Sequence, residues 1–404
     1  MHQCNVHRPR ITRAELCRGT AIVALAALLA GCGGGNQPPE VEVGNVLLGQ
    51  WQARYAGAPG GLTAIMITPT HEYFASTVAG AGAGTHFRGA STTKTFTAAA
   101  IMLLDQRGAL RIDDVVTGPM PGSTKPYLPA TPGYDIPYKS QITIRQLLGH
   151  RAGVFDVGNN DIPANVAAPY AGRRYVDWVT ETQGEDHTFT LDEMVGVVAQ
   201  NQLFTDPPGQ AFHYSNTGFS LLAKIVEQVS GKSFAQFVHD EFTVPNGLAD
   251  TAFPDDGRVQ DLPAPYFDGT TKAGGKLYPT TSRNVSWGIG EGNIVTTPAN
   301  LSRWLRRLFR GEAGVDAKQV ARMRECLPTG ESHVAYGLGL ECYPTALGQG
   351  HNGAITGYIT VARHDANADV TVVVFSTLFD ADDFLKQGDW LYETATKVRA
   401  VAGY

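Results

Sequence analysis

The sequence predicts an α/β fold in which an antiparallel sheet is flanked by N- and C-terminal helices and interrupted by a mostly helical insertion domain. Three observations carry this. Apolar, β-rich runs gather near the two ends of the chain, at 61–78 and 355–376. Helical apolar periodicity brackets them at 41–55 and 381–402. Between them, the stretch 116–285 is rich in Pro and Gly, carries helical patterns and shows little alternation. Strands before and after an insertion can share one sheet, covered by the terminal helices. The boundaries are then 41–115 with 286–404 for the α/β domain and 116–285 for the insertion.

Composition agrees. Of 404 residues, 43% are hydrophobic and 17% charged, enough to bury a large core and to exclude general disorder. A net charge of −6 argues against a nucleic-acid partner. No apolar run reaches 18 residues, so no spanning helix is expected.

Taken in order, residues 1–31 read as a signal peptide. Arg8, Arg10, Arg13 and Arg18 precede the ten-residue apolar run Ala21–Ala30. The junction Leu29-Ala30-Gly31-Cys32 resembles the lipobox of bacterial lipoproteins, which implies that Cys32 is lipidated and becomes the new N-terminus. An ordinary cleaved signal with a coincidental Cys is the alternative. By the same resemblance, Gly33 favours the outer membrane of a Gram-negative cell. Residues 32–40 are a flexible tether. The expected location is the bacterial cell envelope, lipid-anchored at its periplasmic or outer-membrane face, or secreted. Cys4 and Cys17 leave with the signal, and Cys326 and Cys342 remain. An even pair in an oxidising compartment is expected to form a disulfide, with two buried thiols as the alternative. Neither has a partner His, and no metal or cofactor is expected.

Next come two apolar runs, Gly61–Ile67 and Tyr73–Val78, joined as a hairpin by Thr68-Pro69-Thr70. Phe87–Leu104 reads as helical, ending at Gln106-Arg107-Gly108. Further helices are expected at 141–149, 190–200, 216–231 and 301–308. Arg303, Arg306, Arg307 and Arg310 mark the solvated face of the last of these. Ile355–Ala362 and Val370–Ser376 read as strands. Asp365-Ala366-Asn367-Ala368-Asp369 between them mimics an EF-hand opening, but Val370 holds the Gly position and no Glu closes it, so it reads as a hairpin turn. In the last helix Phe384, Leu391, Ala395 and Val398 share one face.

Three short motifs carry chemistry. Ser91-Thr92-Thr93-Lys94 is the only S-x-x-K of the chain and opens an apolar helical run. A Ser in the first helical turn sits near the positive dipole end, with Lys94 on the same face. An amine desolvated there can accept a proton and activate a hydroxyl. An N-cap Ser with an exposed Lys is the plain alternative. Tyr214-Ser215-Asn216 follows a Pro-Pro-Gly turn and offers a phenol and an amide. A Tyr near two cations can lose its proton and act as base; a packed Tyr before an N-cap is the alternative. Gly350-His351-Asn352-Gly353-Ala354 opens the strand at 355–362. There Gly353 permits close backbone approach to a ligand, and the Ala354 N–H can join that of Ser91 in an oxyanion hole. An exposed His in a Gly-rich turn is the alternative. His150 and His213, beside these motifs, read as structural.

In this order the motifs resemble the serine penicillin-recognising superfamily, and more narrowly its class C β-lactamase, D-alanyl-D-alanine carboxypeptidase and family VIII esterase branch. The resemblance spans roughly residues 45–400. It is supported by Leu147-Leu148-Gly149-His150-Arg151-Ala152-Gly153-Val154, Pro208-Gly209-Gln210-Ala211-Phe212-His213, Gly290-Glu291-Gly292-Asn293-Ile294-Val295-Thr296-Thr297 and Tyr336-Gly337-Leu338-Gly339. It implies that Ser91 is acylated, that Lys94 assists its deprotonation, that Tyr214 shuttles the proton and that Asn216 binds the substrate's acyl amide. His351 stands where class C enzymes begin Lys-Thr-Gly. A neutral His is no permanent cation for a substrate carboxylate, and Asn352 and Ala354 supply no hydroxyl. His-x-Gly is the form seen in some D-alanyl-D-alanine peptidases of the branch. Trp287 reads as cleft wall or core. The expected function is a serine acyl hydrolase, foremost D-alanyl-D-alanine carboxypeptidase-like, with a family VIII-type esterase or class C-like β-lactamase as alternatives. A catalytically silent cell-wall-binding lipoprotein is the reading from another class. The expected partners are a small-molecule or peptidoglycan-peptide substrate and, through the lipid, a membrane.

Overall fold

A computed structural model describes residues 38–255, 262–330, 334–343 and 345–404. The signal segment, Cys32 and most of the tether lie outside the described residues. The chain runs α1 (Pro39–Tyr55), β1 (Leu62–Ile67), β2 (Glu72–Ser76), β3 (Phe87–Ala90), α2 (Thr93–Gln106), α3 (Ile144–Leu148), α4 (Tyr175–Gln183), α5 (Leu191–Asn201), α6 (Asn216–Ser230) and α7 (Phe234–Val238). It continues with β4 (Thr270–Ala273), β5 (Lys276–Pro279), β6 (Ile294–Thr296), α8 (Pro298–Phe309), α9 (Ala317–Met323), β7 (Leu327–Pro328), β8 (Ala335–Tyr336) and β9 (Glu341–Cys342). It ends with β10 (Gln349–Ile355), β11 (Tyr358–Asp365), β12 (Val370–Ser376), β13 (Leu378–Asp380) and α10 (Phe384–Val401).

Eight strands form one antiparallel sheet in the order β2-β1-β12-β11-β10-β9-β8-β7. Strands from the two ends of the chain pair within it as its second and third members, where Leu62 pairs with Ser376 and Ile67 with Thr371. Alternation sorts side chains onto the two faces. Leu62, Ala64 and Met66 of β1 and Val370, Val372 and Val374 of β12 pack with Val43, Leu47 and Trp51 of α1 and Leu391, Ala395 and Val398 of α10. The intervening Ile65, Val373 and Phe375 join a larger core with α2, α6 and α8. Burial of each large apolar side chain stabilises by about 1.5–3 kcal/mol. Helix α2 is buried from Thr93 to Leu104, as expected of a helix enclosed on all sides. Phe96 stacks on Trp304 of α8 at 3.8 Å, and the Trp304 indole donates to Thr95 Oγ1. The helix that begins beside Ser91 is therefore fixed along its length.

The expected hairpin, the helices at 141–149, 190–200, 216–231 and 301–308, and both terminal helices form. Four readings change. Phe87–Ala90 is a strand rather than the start of a helix, because its backbone pairs with β6. The run 355–362 is broken by a tight turn at Thr356-Gly357, so His351 lies within a strand of its own. Gly357 has φ +84°, and a Cβ there would come within 2.8 Å of Thr280 Oγ1. Within the Pro/Gly-rich stretch 262–280, β4 and β5 form a hairpin turned by Gly274-Gly275, both at positive φ. Finally, Arg306 and Arg307 are half-buried rather than solvated, Arg306 pairing with Asp369 and Arg307 donating to Asn246, while Arg303 and Arg310 are exposed. The 365–369 segment is a hairpin turn in which the Asn367 N–H donates to Asp365 Oδ1 at 2.9 Å. Cys326 and Cys342 are joined as a disulfide with Cα atoms 6.4 Å apart.

Candidate active site

β3 runs into α2 through a sharp turn. Ala90 has φ +51°, a left-handed conformation uncommon for a residue with a Cβ. Thr92 and Thr93 hydroxyls hold the turn by donating to the Gly89 and Ala90 carbonyls. Ser91 is thereby presented at the mouth of the helix and lines a cleft of about 1020 Å³.

Lys94, one turn on, is fully buried. Its ammonium has three N–H bonds, and the structure offers three acceptors: Asn216 Oδ1 at 2.7 Å, the Glu291 carbonyl at 2.8 Å and Ser91 Oγ at 3.1 Å. Burial lowers its pKa to about 8, against the opposing pull of Glu291, Asp156 and Glu341. When one proton is lost, two N–H groups can stay with Asn216 and Glu291, and the lone pair then points at Ser91.

The Tyr214 hydroxyl donates to Ser91 Oγ at 3.1 Å. Its ring is placed by His150, whose imidazole lies 4.2 Å away, ring to ring, and whose Nδ1 accepts the Ser215 N–H. Here the structure departs from the expectation of an ionised phenol. Burial drives the Tyr214 pKa well above 10, and Glu341, Glu291 and Asp156 push it further. One cation, Lys94, lies 4.9 Å from the ring centre, and it does not outweigh burial and the carboxyls. Tyr214 is therefore a proton donor at rest, and Lys94 is the group poised as base. The Ser215 side chain caps α6, which fixes Asn216 one residue on. With Asn216 Oδ1 given to Lys94, its Nδ2 is left to donate.

His351 is buried on β10. Its Nδ1 lies 2.6 Å from the Asn352 carbonyl, which can only accept, so Nδ1 carries the proton. Nε2 then accepts from the Tyr336 hydroxyl at 2.9 Å. Burial lowers the His351 pKa to about 4. The imidazole is neutral and both its nitrogens are occupied. Gly353 lines the cleft and also serves packing: a Cβ there would collide with the Gly89 carbonyl where β10 crosses β3. Ala354 lines the cleft, as does Trp287, which is also half-buried against the main core. His213 lies apart, paired with Asp206 at the surface.

Sequence reasoning missed four residues. Glu291 and Asp156 are buried carboxyls close to Lys94. Glu341 accepts the Asn352 N–H and pairs with Arg363, and Tyr336 holds His351. Glu291 and Tyr336 lie inside stretches that carry the resemblance, but nothing there marks their roles; Asp156 and Glu341 lie outside every such stretch, and all four are brought in by tertiary packing.

A hydroxyl bonded to a buried amine and a phenol at the head of a buried helix is the centre of a serine acyl hydrolase, the class this fold and site define. The chain belongs to the beta-lactamase family, whose model matches residues 51–395. It is 30% identical over 167 residues to penicillin-binding protein 4* of Bacillus subtilis (strain 168), covering 41% of this chain and 30% of that one. The match thus spans less than a third of that relative's length. Two solved structures share the fold. The D-stereospecific amidohydrolase of Streptomyces sp. superposes with a TM-score of 0.72 at 21% identity, over 87% of this chain and 98% of its own. The D-amino acid amidase of Ochrobactrum anthropi SV3, complexed with L-phenylalanine amide, gives 0.71 at 22% identity, over 90% and 99%.

Proposed function

We propose that the protein cleaves amide or ester bonds through an acyl-enzyme on Ser91. The observation that carries this is the placement of Lys94, whose three N–H directions are matched so that loss of one proton aims a lone pair at Ser91 Oγ. Ser91 Oγ attacks the carbonyl carbon while its proton passes to Lys94 Nζ. The N–H groups of Ser91 and Ala354 receive the developing oxyanion, and Asn216 Nδ2 holds the acyl side. Tyr214 gives its proton to the leaving group as the tetrahedral intermediate collapses. The proton on Lys94 then replaces the one Tyr214 lost. Water reverses the sequence to release the acid.

The leaving side of the substrate carries no carboxylate for the third motif to read. His351 is neutral with both nitrogens engaged, and Asn352 and Ala354 lack a hydroxyl. Arg174 and Arg283 line the cleft but are paired with Asp177 and Glu185. Amides and esters with no carboxylate on the leaving side are therefore favoured, a reading supported by the amidase fold neighbours. The likeness to a penicillin-binding protein supports a second reading, the D-alanyl-D-alanine carboxypeptidase. A panel of p-nitrophenyl butyrate, D-alanine p-nitroanilide, nitrocefin and a peptide ending in D-Ala-D-Ala separates them. We expect the ester and anilide to exceed the peptide in kcat/KM by about tenfold or more, the worth of one charged hydrogen bond. Fastest turnover of the peptide would establish the second reading instead, and fast nitrocefin turnover a β-lactamase.

The same proposal places the enzyme at the cell envelope on a lipidated Cys32. Metabolic labelling with an alkynyl fatty acid should mark the wild type and spare Cys32→Ser. Equal labelling of both would remove the anchor.

A further inference from the structure

One buried acid in the site has no task in the chemistry above. Glu291 is 3% exposed, and its carboxyl lies at the edge of the cleft. Its Oε2 is 4.0 Å from Lys94 Nζ, while its own backbone carbonyl accepts a Lys94 N–H at 2.8 Å. Among the described residues nothing donates a hydrogen bond to its carboxyl oxygens. Asp156, the other acid facing Lys94 at this depth, is differently placed. Its carboxyl accepts the N–H groups of Gly158 and Asn159 and the Asn159 amide. The amine itself is fully buried, with the rings of Tyr214 and Phe219 standing 4.9 and 5.4 Å from it. An unsupported carboxylate and a buried ammonium in such a setting are each costly alone, and the cost falls when one proton serves both.

We propose that Glu291 is a positioning residue for the proton of Lys94: the two side chains hold one proton between them, and Glu291 sets the pH range over which Lys94 acts as base. With the proton on Glu291, Lys94 is neutral and can take the Ser91 proton, which leaves the pair with two protons until Lys94 passes one on to Tyr214. Burial raises the Glu291 pKa and lowers that of Lys94, so the two protonation sites are drawn towards each other. The other titratable groups facing Lys94 are Asp156 after α3, Glu341 on β9, Tyr214 before α6, His150 after α3 and His351 on β10. Asp156 and Glu341 raise its pKa, while His150 and His351 are held neutral by burial.

The inference rests on the acyl-enzyme reading, and its test separates the two. The rate at which a fluorophosphonate labels Ser91 is measured from pH 5 to 10 in the wild type and in Glu291→Gln. The wild-type limb should be broad, spanning two coupled ionisations. In Glu291→Gln it should narrow to one ionisation and move to lower pH by about one unit or more, because the carboxylate no longer holds the proton on Lys94. Equal midpoint and width in both, with only the rate scaled, would overturn the inference and leave the acyl-enzyme standing. Absence of labelling in the wild type would overturn both.

A second readout needs no activity. Glu291 has a raised folded pKa, so its contribution to stability is present below the usual carboxyl pKa and is lost as pH rises towards about 8. In a Ser91→Ala background the thermal midpoint should therefore fall more between pH 5 and pH 8 than it does when Glu291→Gln is added. Equal falls would overturn the inference.

Discussion

Ser91→Ala is expected to reduce turnover by about three to six orders of magnitude, the loss typical when a nucleophile is removed from a group that acts as a unit. The fold should survive. Ser91 is half-buried, and its hydroxyl contacts only Lys94 and Tyr214 in the described structure. Steady-state hydrolysis of p-nitrophenyl butyrate, with far-UV circular dichroism as control, measures both. Residual activity within tenfold of the wild type would move the nucleophile elsewhere.

The second large effect is expected at Lys94. Lys94→Met keeps the length of the side chain and removes the base. Acylation should drop by about two to four orders of magnitude, the usual contribution of a positioned general base. The pH profile should change with it. Below about pH 8 the wild-type amine is increasingly protonated, so its acylation rate should fall as pH drops. Lys94→Met should show no such limb, because no other group is placed to take the Ser91 proton. Tyr214 cannot substitute, since burial keeps its phenol protonated well beyond pH 10. A wild-type limb that persists in Lys94→Met would assign the base to another group. Measurement of pre-steady-state release of p-nitrophenol from pH 5 to 10 distinguishes these outcomes.

How much of this was legible beforehand depended on whether the signal was local. The shared sheet, its terminal helices and the hairpin at 61–76 were readable because period-two and helical patterns are written within single segments. Phe87–Ala90 was not, because it is a strand only by virtue of β6, two hundred residues away. The turn at Thr356-Gly357 was hidden because apolar residues continue on both sides of it. In the site, Ser91, Lys94, Tyr214, Asn216 and His351 were visible as motifs, and the structure brings them to one cleft. The protonation states were not. Whether Tyr214 or Lys94 is ionised depends on burial and on three carboxyls, Glu291, Glu341 and Asp156, that no motif contains. Gly353 carries a second role that no motif shows, for its missing Cβ admits the Gly89 carbonyl, a contact between strands far apart in sequence.

The role of the neutral imidazole at 351 follows the same logic. A cation at that position would draw substrates with a terminal carboxylate. A buried His whose pKa lies near 4, locked between the Asn352 carbonyl and the Tyr336 hydroxyl, does not. Substrate choice then falls to the cleft wall that includes Arg174, Glu181, Arg283 and Trp287.

The central claim is that Ser91 becomes acylated because Lys94 takes its proton. Peptide-mapping mass spectrometry after treatment with a fluorophosphonate at pH 8 tests it most directly. One adduct per chain is expected, on the peptide that contains Ser91, and it should be lost in Ser91→Ala and strongly reduced in Lys94→Met. An adduct on another residue, or undiminished labelling at Ser91 when Lys94 is replaced, would contradict it.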